Sequence, residues 1–193
     1  MNKPEFFNQL ARSRRSVFPD QFIPGKRVDD AIIKEILTNA TWAPDHGHSS
    51  PWRFTVFTGE GLQKFGMFQS ELYKAEAGDN FKEATFLKLQ TNPLKASHII
   101  SIGMKRTTSK PIPEIEDVIA VACAIQNIYL SVTAYGLGGY LTTGGVTYKS
   151  TAKTFLGLGD HDKLLGFFYI GHVAIPSPAT HRIPLGELLT WIK

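Results

Sequence analysis

"EIEDVIAVACAIQNIYLSVTAYGLGG" spans residues 114–139 and decides what kind of molecule this is. Glu114, Glu116 and Asp117 open it, and negative charge suits the positive end of a helix dipole. The residues that follow are apolar on nearly every side of a 3.6-residue spiral. A helix of that kind belongs at the centre of a fold, so the stretch predicts a long buried helix from about Glu114 to Tyr135. Gln126, Asn127 and a cluster of glycine and tyrosine interrupt the most apolar window, 118–141, which argues for a core helix over a membrane span. "GLGGYLTTGG" (136–145) then reads as a glycine stop, a short strand and a tight turn.

The flanking segments supply a sheet and more helices. "HIISIGM" (98–104) is a short apolar run, and "KLLGFFYIGHVAI" (163–175) is a longer one; both read as buried strands. "RFTVFTG" (53–59) alternates like a strand and stops at Gly59. Residues 4–12 read as a helix with Phe6, Leu10 and Ala11 on one side. Residues 30–41 form a clearer helix: Asp29 caps it, Ile32, Ile33, Ile36, Leu37 and Ala40 make its stripe, and Ala43-Pro44 ends it. Residues 60–74 and 79–91 read as two further helices, the second capped by Asp79 or Asn80. Lys105 to Pro113 is a polar loop, and 184–192 an amphipathic terminal helix or tail. Strands separated by long helical segments predict one α+β domain over residues 1–193.

Composition narrows the function classes. The chain has 193 residues, 42% hydrophobic and 20% charged, enough apolar matter for a real core. A net charge of +4, spread without blocks, suits an anionic ligand and does not argue for nucleic acid. The single cysteine, Cys123, allows no internal disulfide and sits in an apolar helical context, so an inert buried thiol is expected. The opening "MNKPEFFNQLARSRR" lacks the apolar core and small-residue site of a secretory signal, and a cytoplasmic protein is expected.

Three constellations stand out. Arg14-Arg15-Ser16 ends the first helix, and guanidiniums beside a hydroxyl suit phosphate oxygens, although basic residues at a helix end also simply complement its carbonyls. "TWAPDHGHSSPWRF" (41–54) packs aromatic and polar residues into a loop between helix and strand; His46 and His48 have no third ligand at matching spacing, and no metal site is read. The glycines of 136–145 permit close backbone approach to a flat ligand, with Thr142 and Thr143 as hydroxyls, or else merely cap the helix. Neither a nucleophile elbow nor a carboxylate pair is present, so any chemistry is expected to belong to a cofactor.

In order, these segments resemble the flavin-dependent NAD(P)H nitroreductase family, closest to its small, short-chain branch. The likeness rests on Arg14-Arg15-Ser16, Ala43-Pro44-Asp45-His46 with Pro51-Trp52-Arg53-Phe54, the long helix with Gly136 to Gly144, and Gly166-Phe167-Phe168-Tyr169-Ile170-Gly171. The resemblance implies a central mixed β-sheet surrounded by helices and a homodimer with FMN at the subunit interface. It implies Arg14, Arg15 and Ser16 on the FMN phosphate, ribityl chain or polar ring edge, with Thr142, Thr143 and Gly144 along the ring. Trp42 and His46 would reach the flavin from the partner subunit, Arg182 would join the phosphate, and Val132 to Leu137 would lie near NADH or NADPH. Hydride would pass through flavin N5 to a nitroaromatic, quinone or similar acceptor by a ping-pong mechanism. A flavin-dependent dehydrogenase or other ring-modifying enzyme, or a non-catalytic flavin-binding protein, is the alternative.

Overall fold

The computed structural model describes residues 2–107, 109 and 111–193. Thr108 and Lys110, within the predicted 105–113 loop, lie outside the described residues, as does Met1. In chain order the elements are α1 (Lys3–Ser13), α2 (Asp30–Thr41), β1 (Trp52–Thr58), α3 (Glu60–Ala77), α4 (Glu83–Thr91), β2 (His98–Met104), α5 (Glu114–Ala134), β3 (Leu137–Thr142), α6 (Ser150–Phe155) and β4 (Lys163–His172).

The strand β4 shows how the layers arise. Its side chains alternate across the sheet, so Phe168 and Ile170 join one core while Phe167 and Tyr169 join another. On the first face α2 and α5 supply Ile33, Ile36, Ala40, Val121, Ala124, Ile128 and Val132; on the second α3 supplies Leu62 and Phe65. Asp29 caps α2 as expected, its carboxylate accepting from Ala31 N–H at 2.8 Å.

The strand order is β1-β2-β4-β3. Every pairing is antiparallel, so the sheet expected to be mixed is not mixed among the described residues. The strands follow one another through long helical connections that return them antiparallel, a choice that periodicity does not encode. Four further expectations change. Lys82, not Asp79 or Asn80, precedes α4; those two residues lie in a single 3-10 turn closed by the Tyr73 hydroxyl, which donates to Asn80 C=O and accepts from Lys82 N–H. The predicted helix at 184–192 is one 3-10 turn, Leu185–Glu187, in an exposed tail. The turn after β3 runs into α6, which had no sequence signal. Finally, α5 is buried along one side only. Ile119 is 54% exposed, and Cys123 is half-buried.

Candidate functional site

The segment after α1 is fastened to the edge of β3. Val17 N–H donates to Gly139 C=O at 2.9 Å, and Ile23 N–H donates to His172 C=O at 2.8 Å. This approach requires bare backbone. A Cβ at Gly138 would stand 2.9 Å from Val17 Cβ and Phe22 Cε1, and one at Gly171 would stand 2.6 Å from Phe22 Cγ. Gly138 and Gly171 therefore serve first to let residues 17–22 lie against the sheet, while Gly139 makes room for the Phe168 ring.

That docking joins two of the predicted constellations. Arg14 lies half-buried with its guanidinium carbon 4.9 Å from the centre of the Tyr129 ring, and no carboxylate among the described residues pairs with it. The Ser16 hydroxyl is 3.4 Å from the Tyr129 hydroxyl, which in turn accepts from Leu141 N–H at 3.0 Å. Arg15 behaves differently: one of its guanidinium nitrogens donates to Arg12 C=O at 2.7 Å and to Arg14 C=O at 2.9 Å, closing the end of α1. Ser177 donates to Ser16 C=O at 2.7 Å and brings the start of the C-terminal tail to the same place.

On the other face of the sheet, under α3, opens a cavity of about 350 Å³ that none of Arg14, Arg15, Ser16 and Tyr129 lines. Phe18, Tyr140, Thr142 and Gly144 line it from the predicted segments, and Gln69, Lys88 and Tyr169 line it from α3, α4 and β4, with Asn92 from the turn after α4. Its aromatic wall is continuous: the rings of Phe18 and Tyr140 are 4.6 Å apart, and those of Tyr140 and Tyr169 6.4 Å. Burial pushes the Tyr169 phenol well above its ordinary range, so it stays protonated. Asp20, also on the rim, is held below the ordinary carboxylate range by its hydrogen bond from Lys95, at 2.5 Å, and the attendant charge attraction. Sequence reasoning did not find Tyr129, Gln69, Lys88 or Asn92, because each comes from an element distant along the chain. A larger open cleft of about 670 Å³, with Glu114, Tyr148 and Lys163 on its walls, includes none of the predicted ligand residues.

The other predicted residues stand apart within one chain. Trp42 follows α2 and is 82% exposed. His46 pairs through Nδ1 with Glu116, thirteen residues from Tyr129 on α5, which is about 20 Å along a helix axis. The loop is well tied: Ser49 donates to the buried Asp117, itself paired with Arg106, and Ser50 N–H donates to Asp45 at 2.6 Å. His48 and Ser50 hold positive φ of 54° and 44°, a conformation that costs energy for residues with a Cβ. Thr143 is exposed at the turn, and Arg182 is exposed in the tail. Val132 and Leu137 are buried in the core, with Tyr135 exposed between them.

A hydrogen-bonded chain of Ser97, His98 and Asp30 also exists, with links of 2.9 Å and 2.9 Å. It is structural: the Ser97 hydroxyl accepts from Val28 N–H, and both Ser97 and His98 are buried.

Each place offers chemistry that an anionic, flat cofactor uses. A half-buried guanidinium with no carboxylate partner among the described residues, beside a hydroxyl, suits a phosphate. The aromatic wall on the other face, with amide and hydroxyl groups at its rim, suits a planar heterocycle. Comparison with known proteins agrees. The protein YdjA of Escherichia coli K12, named as a candidate NAD(P)H nitroreductase, is 26% identical over 152 residues, 79% of this chain and 81% of that one. The crystal structure of a nitroreductase-like family protein from Bacillus cereus superposes with a TM-score of 0.80 at 26% identity, covering 96% of this chain and 95% of that one. A Mycobacterium smegmatis FMN-dependent nitroreductase, solved with NADPH, shares the fold at a TM-score of 0.74 and 17% identity, over 100% of both chains. The family model described as "Nitroreductase family" matches residues 11–172. The chain therefore belongs to the nitroreductase family, as an oxidoreductase of the NAD(P)H nitroreductase type.

Proposed function

We propose that this protein is an FMN-dependent oxidoreductase that takes hydride from NADH or NADPH and passes it to a nitroaromatic, quinone or similar acceptor, working as a single domain in a cytoplasmic homodimer. The observation that carries the reading is Arg14: a half-buried cation with no carboxylate partner among the described residues, 4.9 Å over Tyr129 and beside Ser16. A charge in that setting is stabilised by an anion delivered from outside the chain. Bound FMN would supply the hydride-transferring ring. Arg14 and Ser16 would hold its phosphate, with Arg15 shaping the helix end and Arg182 closing from the tail. Thr142, Thr143 and Gly144 would border the ring at the mouth of the cavity.

The dimer is supported by what one chain leaves uncovered. Ile115 and Ile119 on α5 and Leu185, Leu188, Trp191 and Ile192 in the tail are exposed apolar side chains of the kind a subunit interface covers. His46, tied to Glu116 about 20 Å from Arg14's neighbour Tyr129 along α5, would meet a flavin from a second copy, and exposed Trp42 is free to do the same. The strained 45–50 loop, tied to α5 by His46–Glu116 and Ser49–Asp117, would then be a rigid wall of the partner's site.

The test is the absorption spectrum of purified protein before and after anaerobic NAD(P)H. Oxidised flavin bands that bleach with NAD(P)H and return with a quinone or nitroaromatic support the reading. A protein that stays colourless after reconstitution with FMN overturns it, and flavin that binds but does not bleach leaves a non-catalytic flavin protein.

A further inference from the structure

Tyr129 is the meeting point of the site, and its chemistry suggests more than packing. Its hydroxyl accepts the N–H of Leu141 at 3.0 Å, on the outer edge of β3, two residues beyond the carbonyl that Val17 occupies. A phenol that accepts one N–H still has its own proton to give, and Ser16 Oγ lies 3.4 Å away, where either hydroxyl can be the donor. With Tyr129 donating, the Ser16 hydroxyl proton is free to serve an anion. The face of the same ring lies under the Arg14 guanidinium at 4.9 Å, and its edge packs against Phe168 at 4.6 Å and 73°. Both donors offered to an anion are thus oriented by one side chain anchored to the sheet.

We propose that Tyr129 is the positioning residue that aims Arg14 and Ser16, and that it thereby sets the preference of this site for a phosphorylated flavin over the unphosphorylated one. The inference rests on the reading that Arg14 and Ser16 face the FMN phosphate. Tyr129 does not touch the anion; it acts through the two groups that do.

The test measures dissociation constants for FMN and for riboflavin, which lacks the phosphate, with the apoprotein and its Tyr129→Phe, Tyr129→Leu and Ser16→Ala variants. Tyr129→Phe keeps the ring under Arg14 and against Phe168 and loses only the hydroxyl. It should weaken FMN about threefold to tenfold, as for one neutral hydrogen bond, while riboflavin stays within about twofold. Tyr129→Leu should weaken FMN further by removing the surface under Arg14. Ser16→Ala added to Tyr129→Phe should cost less than it does alone, since the two act as a unit. Equal weakening of FMN and riboflavin by Tyr129→Phe, or no change in either, overturns the inference while leaving the phosphate site standing. A parent protein that binds FMN and riboflavin alike removes the Arg14–Ser16 reading itself, and this inference with it.

Discussion

Arg14 and Arg15 are neighbours of the same type, yet they should fail differently when truncated. Arg14→Ala removes a guanidinium that is half-buried, has no carboxylate partner among the described residues and lies 4.9 Å over the Tyr129 ring. A charge-assisted contact to phosphate contributes about 1.5–3 kcal/mol, so the FMN dissociation constant should rise about 10- to 150-fold. The fold should notice less, because a cation–π contact near the surface contributes about 0.5–1 kcal/mol. Arg15→Ala instead removes two hydrogen bonds to Arg12 and Arg14 carbonyls, at 2.7 and 2.9 Å. It should loosen the end of α1 by about 1 kcal/mol and change FMN affinity by less than about threefold. Flavin fluorescence quenching on titration of the apoproteins gives the affinities, and thermal melts give the stabilities. Arg14→Ala binding FMN within about threefold of the parent, or Arg15→Ala losing as much affinity as Arg14→Ala, would refute the reasoning.

Three further outcomes follow. Gly138→Ala places a Cβ 2.9 Å from Val17 and Phe22, so it should cost about 1–3 kcal/mol in a thermal melt and lower the FMN content on purification. Burial lowers the His98 pKa, which leaves the ring neutral in the fold; the unfolded chain takes up the proton below about pH 6.5, so the melting temperature should fall as pH drops from 7.5 to 5, and His98→Gln should flatten that slope. The carboxylates of Asp20, Asp30 and Glu114, held low by Lys95, Arg27 and Lys163 respectively, retain their contribution through that window and lose it only at more acid pH. Ile119→Glu, on the exposed side of α5, should turn a dimer into a 21.4 kDa monomer in sedimentation and reduce flavin binding with it; an unchanged dimer would count against that face as the interface.

Local pattern made much of the molecule legible. The stripe at 30–41, the alternation at 53–59 and the apolar runs at 98–104 and 163–175 each became the expected element, and 114–135 became the expected helix though buried on one side only, since periodicity reports which face a segment buries. The ordered set of short motifs was enough to reach the family, and the Arg14–Ser16 cluster was visible because like charges rarely gather without cause. What the residues could not show was who meets whom. Tyr129 lies 113 residues from Ser16 and joins it only because Val17 hydrogen-bonds to Gly139 beside the end of α5. Gln69, Lys88 and Asn92 enter the cavity because α3 and α4 cover the opposite face of the sheet. The different surroundings of Arg14 and Arg15 are likewise tertiary, for identical side chains one residue apart leave a helix end in different directions. Hydrophobic periodicity encodes burial and turn chemistry encodes stops, but strand direction, register and the convergence of distant polar groups are decided when the packed layers form.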